Sequence, residues 1–213
     1  MALLTNDIVQ QVKERLAGLP DPVQLMVFTS PDHCDYCKEI VQLAQEVADT
    51  SDKLTAAVYD IRQAPEKAAP LHITMAPAMA IIGARDYGLR FYGIPSGHEF
   101  NTLLSGIERA SYGKPDLDET TQAFLKNLSQ PVYLQVFVTP TCPHCPPAAI
   151  LAYDMAVASD KVVAEVVESM EFQELAMQHN VMGVPLNVIN GKVRIEGAAP
   201  PPKVVEGIKK ALA

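Results

Sequence analysis

Apolar residues recur at every fourth position at Leu4, Ile8, Val12 and Leu16, which lines one face of a helix and predicts a helix over 3–17. The period then changes. Val23–Thr29 is a short β-branched and aromatic run after Pro22, and it predicts a buried strand. A helix is predicted from near Cys34 through Ile40, Val41, Leu43, Ala44 and Val47, followed by a strand over 54–61 and a short helix over 65–72. Residues 78–83 and 89–93 read as a hairpin, and a helix over about 97–110 closes the segment. The same order then returns: helix over 117–128, strand over 132–138, helix from Cys142, strand over 161–167 and short helix over 170–179. It ends with strands near 186–190 and 192–196 and a helix over 202–212. Between the two series, Gly113 and Pro115 stop one helix, and Asp116 with Glu119 offers a capping box for the next. The chain therefore divides into 1–113 and 114–213. Alternating strands and helices predict an α/β fold, each unit having a central mixed β-sheet flanked by helices.

The repetition extends to individual residues. A shift of 108 places Cys34 and Cys37 on Cys142 and Cys145, Ser51-Asp52-Lys53 on Ser159-Asp160-Lys161, Pro77 on Pro185 and Gly83 on Gly191. Upstream of the cysteines the offset is 109, pairing Pro22-Val23 with Pro131-Val132 and Phe28 with Phe137. A register sustained over this length with one inserted residue indicates an internal duplication.

Composition narrows the function. Hydrophobic residues are 48% and charged residues 20%, a globular balance, and the net charge of −8 argues against a nucleic-acid partner. No apolar run approaches ~18 residues, so no membrane span is expected. The start, Met1-Ala-Leu-Leu-Thr-Asn-Asp, turns polar quickly and its basic residues follow the apolar stripe, unlike a secretory signal. That points to the cytoplasm.

Four cysteines in such a chain need a purpose. Each pair sits between a hydrophobic strand and a helix, where unpaired N–H groups and the helix dipole favour a thiolate. The two-residue spacer brings both sulfurs within bonding reach, so the first cysteine can act as nucleophile and the second can resolve the mixed disulfide. Taken alone, a Cys-x-x-Cys also suits a metal. Zinc ribbons, however, place two such knuckles ~15–20 residues apart, and here more than a hundred intervene. No metal and no cofactor are expected, although a zinc-holding structural protein stays as an alternative. His72, His98 and His179 have no ligand-like spacing, and His33 reads as a loop residue beside Cys34.

Forty-three residues after the first cysteine of each pair stands a proline, Pro77 in Met75-Ala76-Pro77 and Pro185 in Gly183-Val184-Pro185. With the strand, Cys-x-x-Cys and helix before it, this arrangement resembles the thioredoxin superfamily. The resemblance implies two tandem thioredoxin-like units, a cis bond before each proline, and main chain at Ala76 and Val184 that pairs with an extended substrate. Two units with both pairs intact look like the protein disulfide oxidoreductases, or glutaredoxin-like proteins, of thermophilic archaea and bacteria. The chain is also similar to the N-terminal region of the flavoprotein that reduces peroxiredoxin, though there one unit has lost its cysteines. Six residues before each first cysteine, where thioredoxin keeps a buried acid, stand Phe28 and Val136.

The expected function is dithiol–disulfide exchange on protein substrates. The alternative partners are a thioredoxin-reductase-like flavoprotein and a peroxiredoxin. The two sites should differ. Pro143 and His144 separate the second pair, and a histidine beside a thiolate stabilises the reduced form. Asp35 in the first spacer opposes a thiolate. Electrons could run between the pairs if the sulfurs can approach.

Overall fold

The computed structural model describes residues 2–32 and 34–213. Met1 and His33 lie outside the described residues. The elements follow the predicted order: α1 (Asn6–Leu16), β1 (Val23–Thr29), α2 (Cys37–Ala48), β2 (Leu54–Asp60), α3 (Pro65–Ala68) with a 3₁₀ turn at Ala69–Leu71, β3 (Ala78–Ile82), β4 (Asp86–Tyr92) and α4 (Glu99–Tyr112). The second series is α5 (Glu119–Lys126), β5 (Val132–Val138), α6 (Cys145–Ala158), β6 (Val162–Glu168), α7 (Gln173–Gln178), β7 (Leu186–Ile189), β8 (Val193–Glu196) and α8 (Pro201–Leu212).

Two local expectations are corrected. α5 is capped by Asp118, whose side chain accepts from the Thr121 N–H at 2.9 Å, while the Asp116 N–H is drawn to Asp154 at 2.7 Å. α2 and α6 begin at the second cysteine of each pair, because Cys34 and Cys142 sit in turns whose carbonyls accept from the N–H of Cys37 and Cys145. The offset of 109 upstream of the cysteines holds: Phe28 and Phe137 pack on one face of the sheet, and Val136 lies on the other. The extra residue before Cys34 shifts the register by one, and one residue along a strand reverses the face.

The larger correction concerns the sheet. Two separate central sheets were expected, but the strands form one eight-stranded mixed sheet in the order β2-β1-β3-β4-β6-β5-β7-β8. β4 pairs in parallel with β6 from Leu89–Ala164 to Tyr92–Val167, so the edge of the first four strands is taken up by the second four. Pairing an apolar edge in this way removes a row of open main-chain groups. The halves are related by stepping four strands along the sheet, and β1, β2, β4, β5 and β6 all run in one direction.

Alternation along the strands sorts the core into two layers. One face carries Leu25, Val27, Leu134 and Val136 beneath α1, α2, α4, α5, α6 and α8. The other carries Phe28, Tyr92, Phe137 and Val188 beneath the short helices around Ala68 and Ala176. Across the join, α4 packs on α6. Gly106 permits the approach, since a Cβ there would lie 2.7 Å from Ile81 Cδ1 and 3.0 Å from Tyr153 Cε2. The buried Tyr153 hydroxyl donates to the Arg90 carbonyl at 3.0 Å, and Arg109 pairs with Asp154 at 2.5 Å.

Gly106→Val should force α4 off α6 and lower stability by about 1–3 kcal/mol, the usual cost of overpacking. Urea unfolding followed by circular dichroism measures it, and an unchanged midpoint would show that the packing of α4 on α6 tolerates a larger residue.

Candidate functional site

Both cysteine pairs lie where a strand of the common direction ends and a helix of the larger layer begins. Cys34 and Cys37 are joined as a disulfide with Cα atoms 5.4 Å apart, and Cys142 and Cys145 are free thiols. The local frame is the same in both. The Ser30 N–H donates to Cys37 Sγ at 3.4 Å, and the equivalent Thr139 main chain bonds Cys145. Both Ala76–Pro77 and Val184–Pro185 are cis, the arrangement the resemblance implied. Cys142 Sγ donates to the Val184 carbonyl at 3.7 Å, so that proline loop lies against the sulfur. Ala76 and Pro77 line a cavity together with Asp35 and Tyr36 of the first redox loop.

Exposure grades the second pair. Cys142 is half-buried and Cys145 is fully buried beneath it, as an attacking and a resolving thiol require. Burial, then the hydrogen bond with Cys142, pushes the Cys145 thiol well up, and the charges of Cys142 and Glu99 add to this. His144 and Asp35 both lie on the surface, at the exposed side of their loops. Pro146 and Pro147 fall in the first turn of α6, where their missing N–H groups would have had no helical acceptor.

Sequence reasoning missed Glu99. It opens α4, a helix of the first half, yet it is fully buried with Oε1 unpartnered among the described residues and Oε2 accepting from Thr102 at 2.7 Å. Its loop is held against the second redox loop: the His98 N–H donates to the Pro140 carbonyl at 2.9 Å, and a Cβ on Gly97 would lie 2.4 Å from that oxygen. Burial pushes Glu99 up to about 7, with Thr102 pulling the other way. The Glu99 charge reaches the buried Cys145 thiol, and a carboxyl poised near neutrality is suited to general-base work. Nothing local marks it, because an acid in a first helical turn ordinarily faces solvent.

A second acid escaped in the same way. Glu171 follows β6, accepts from the Ile94 N–H at 2.7 Å, and lines the cavity of the first pair. Burial, together with the charges of Glu168 and Asp35, pushes it up to about 7. The two cysteine pairs do not converge. β1 and β5 are four strand spacings apart, roughly 19 Å, and a twist of about 20–25° per step turns their ends away from each other. Direct exchange between the pairs is therefore not available in this arrangement, and neither is a shared metal. Among the described residues no three His, Cys, Asp or Glu side chains cluster as a metal site, and no helix is long and apolar enough to cross a membrane.

A protein-family model described as a thioredoxin domain matches residues 132–210. With the frame that both halves share, the fold is thioredoxin-like, with a Cys-x-x-Cys pair at the same place in each half. It is similar over 97% of its length to a protein disulfide oxidoreductase from Aeropyrum pernix, with 28% identity, a TM-score of 0.90 and 93% of that chain covered. The NTD_N/C domain of the alkylhydroperoxide reductase AhpF from Enterococcus faecalis gives 26% identity and a TM-score of 0.88, covering 96% of this chain and 99% of that one. Among curated proteins, the corresponding alkyl hydroperoxide reductase component of Staphylococcus aureus is 26% identical over 89% of this chain, which spans 34% of that relative's length.

Replacing Glu99 with Gln should slow release of a mixed disulfide from Cys142 by about 100-fold at neutral pH, the scale of a lost general base. It should also flatten a stability trend. A buried acid at about 7 against an ordinary 4.5 holds its proton longer folded than unfolded, so stability falls as pH rises between those values. Single-turnover kinetics and thermal melts from pH 5 to 8 test both. An unchanged release rate would remove Glu99 from the chemistry, and an unchanged slope would remove its titration from the folding equilibrium.

Proposed function

We propose that the chain exchanges dithiols for disulfides in protein substrates through two thioredoxin-like units, residues 1–113 and 114–213, each with its own site. In the reducing direction the Cys142 thiolate attacks a substrate disulfide, forming a mixed disulfide and expelling one substrate thiolate, which takes up a proton. Cys145 passes its proton to Glu99 and attacks Cys142 Sγ. The second substrate sulfur leaves as a thiolate and is protonated, and the Cys142/Cys145 dithiol, having given up two electrons, is left as a disulfide. Formation of a substrate disulfide is the reverse. Cys34 and Cys37 perform the same steps in the first unit. Ala76 and Val184 hold an extended substrate by main-chain pairing beside Pro77 and Pro185. The observation that carries this reading is the Cys142 Sγ contact with the Val184 carbonyl, which puts the nucleophile beside the main chain that would hold the substrate.

A second reading is favoured by the curated relatives, which are components of alkyl hydroperoxide reductase. In it the chain carries electrons between a thioredoxin-reductase-like flavoprotein and a peroxiredoxin. Rapid turnover with that one pair of partners and poor activity on generic disulfides would favour it. Two redox pairs suit a reducing compartment, and the cytoplasm is the proposed location.

The double variant Cys34→Ser with Cys142→Ser should lose all protein-disulfide reductase activity while keeping its circular dichroism spectrum. Substantial turnover of a protein disulfide such as insulin would overturn the mechanism.

The sites should also be unequal, with Cys142/Cys145 the more oxidising, because His144 favours its neighbouring thiolate and Asp35 opposes one. A one-unit separation of the two thiol pKa values, worth ~1.4 kcal/mol, corresponds to about 30 mV for a two-electron couple. Redox titration of each pair, with the other replaced by serine, reads the difference. Equal values, or a lower potential at Cys142/Cys145, would sink the idea.

A further inference from the structure

The cavity beside the first redox pair is built by both halves of the chain. One wall is Asp35 and Tyr36 of the redox loop, and the floor is Met75-Ala76-Pro77. The opposite wall, Met170 to Leu175, comes from the second half, carried there by the parallel pairing of β4 with β6. Its volume of about 710 Å³ is large enough for several residues of an extended peptide. Ala76 lies two residues beyond the β1–β3 ladder, whose terminal rung pairs Phe28 with Ala78.

The charge of this cavity has one sign. Asp32, Asp35, Glu171 and Glu174 all line it, and no lysine or arginine does among the described residues. Arg62 pairs with Asp32 at 2.7 Å on the surface, and Glu171 turns its carboxyl back onto the Ile94 N–H with the other oxygen buried, which leaves the exposed Asp35 and Glu174 lining the space without a salt bridge among the described residues. Between them lie Met75, Met170 and Leu175, an apolar stretch that would cover the stem of a long side chain. A lysine or arginine entering there would rest its methylenes on the methionines and bring its cation to the carboxylates of Asp35 and Glu174. An acidic segment would meet like charge on both walls, and exclusion of this kind sets specificity more than affinity does.

Resting on the reading of Cys34 and Cys37 as an exchange site, we infer that this cleft selects substrate segments in which a lysine or arginine lies within a few residues of the cysteine. The second half of the chain thereby takes part in choosing substrates for the first site.

The test uses the full chain with Cys142→Ser and Cys145→Ser, so that only the first pair reports, and dithiothreitol as the electron source. The probes are synthetic peptide disulfides identical except for lysine, glutamine or glutamate flanking the cysteine. The expected result is a kcat/KM about tenfold higher for the lysine peptide than for the glutamate peptide at low salt, shrinking towards one at 1 M salt, where the screening length falls to about 3 Å. Asp35→Asn with Glu174→Gln should reduce the ratio severalfold. Glu174→Gln alone, at an exposed position, should reduce it in part without any question of folding. A ratio at or below one in the unmutated cleft, or a ratio indifferent to both variants and to salt, would overturn the inference. Failure to turn over any of the three peptides would instead mean that the redox reading of the first pair is wrong, and the inference would fall with it.

Discussion

Four rungs of parallel pairing, from Leu89–Ala164 to Tyr92–Val167, place every other part of the molecule. Remove them and each half keeps a strand, a cysteine pair and a proline loop, but the sites lose what the opposite half lends them. The pairing lays α4 on α6, which buries Glu99 where its charge reaches Cys145, and it carries the segment after β6 across to the cavity beside the first pair. The same hydrogen bonds keep the two sulfur pairs several strands apart. One constraint thus completes both sites and separates them, so communication between them has to travel through a substrate or a partner.

The exchange between the halves is reciprocal without being symmetric. The first half gives the second a buried carboxyl whose charge reaches the buried Cys145 thiol. The second half gives the first an acidic wall that also lines an open cavity, suited to meeting a ligand. Duplication supplied two copies of one frame, and stepping them along a sheet set each copy against a different surface of the other. The two sites could diverge in surroundings while the cysteines stayed alike.

What could be read in advance follows from where the information lies. The element order, the Cys pairs and the prolines rest on local periodicity and on a repeat at fixed offset, so they were legible from residues such as Leu4, Val12, Cys34 and Pro185. The helix starts were displaced because a turn closed by the Cys34 and Cys142 carbonyls precedes each helix, and the hydrophobic pattern does not register that turn. Asp116 looked like a cap and proved to be an anchor for Asp154, a choice that depends on α6 arriving from elsewhere. Glu99 and Glu171 were invisible for the same reason: their burial is a property of the join, and the sequence of either half alone contains no trace of it.

A step along a sheet, unlike a two-fold rotation, does not close on itself. By their pairing with β3 and β7, Leu89, Arg90, Phe91 and Tyr92 on β4 correspond to Val193, Arg194, Ile195 and Glu196 on β8. The strand that accepted β6 thus has a twin at the far margin, and in principle that twin could accept β2 of another molecule, and so on without end. Where Tyr92 is buried in the join, Glu196 carries an exposed carboxylate, and Arg194 is turned back onto the carbonyls of His179 and Asn180. The aromatic-to-acid difference between these two equivalent strands sets an exposed charge on the outer edge of the sheet, a feature that opposes the addition of a further strand.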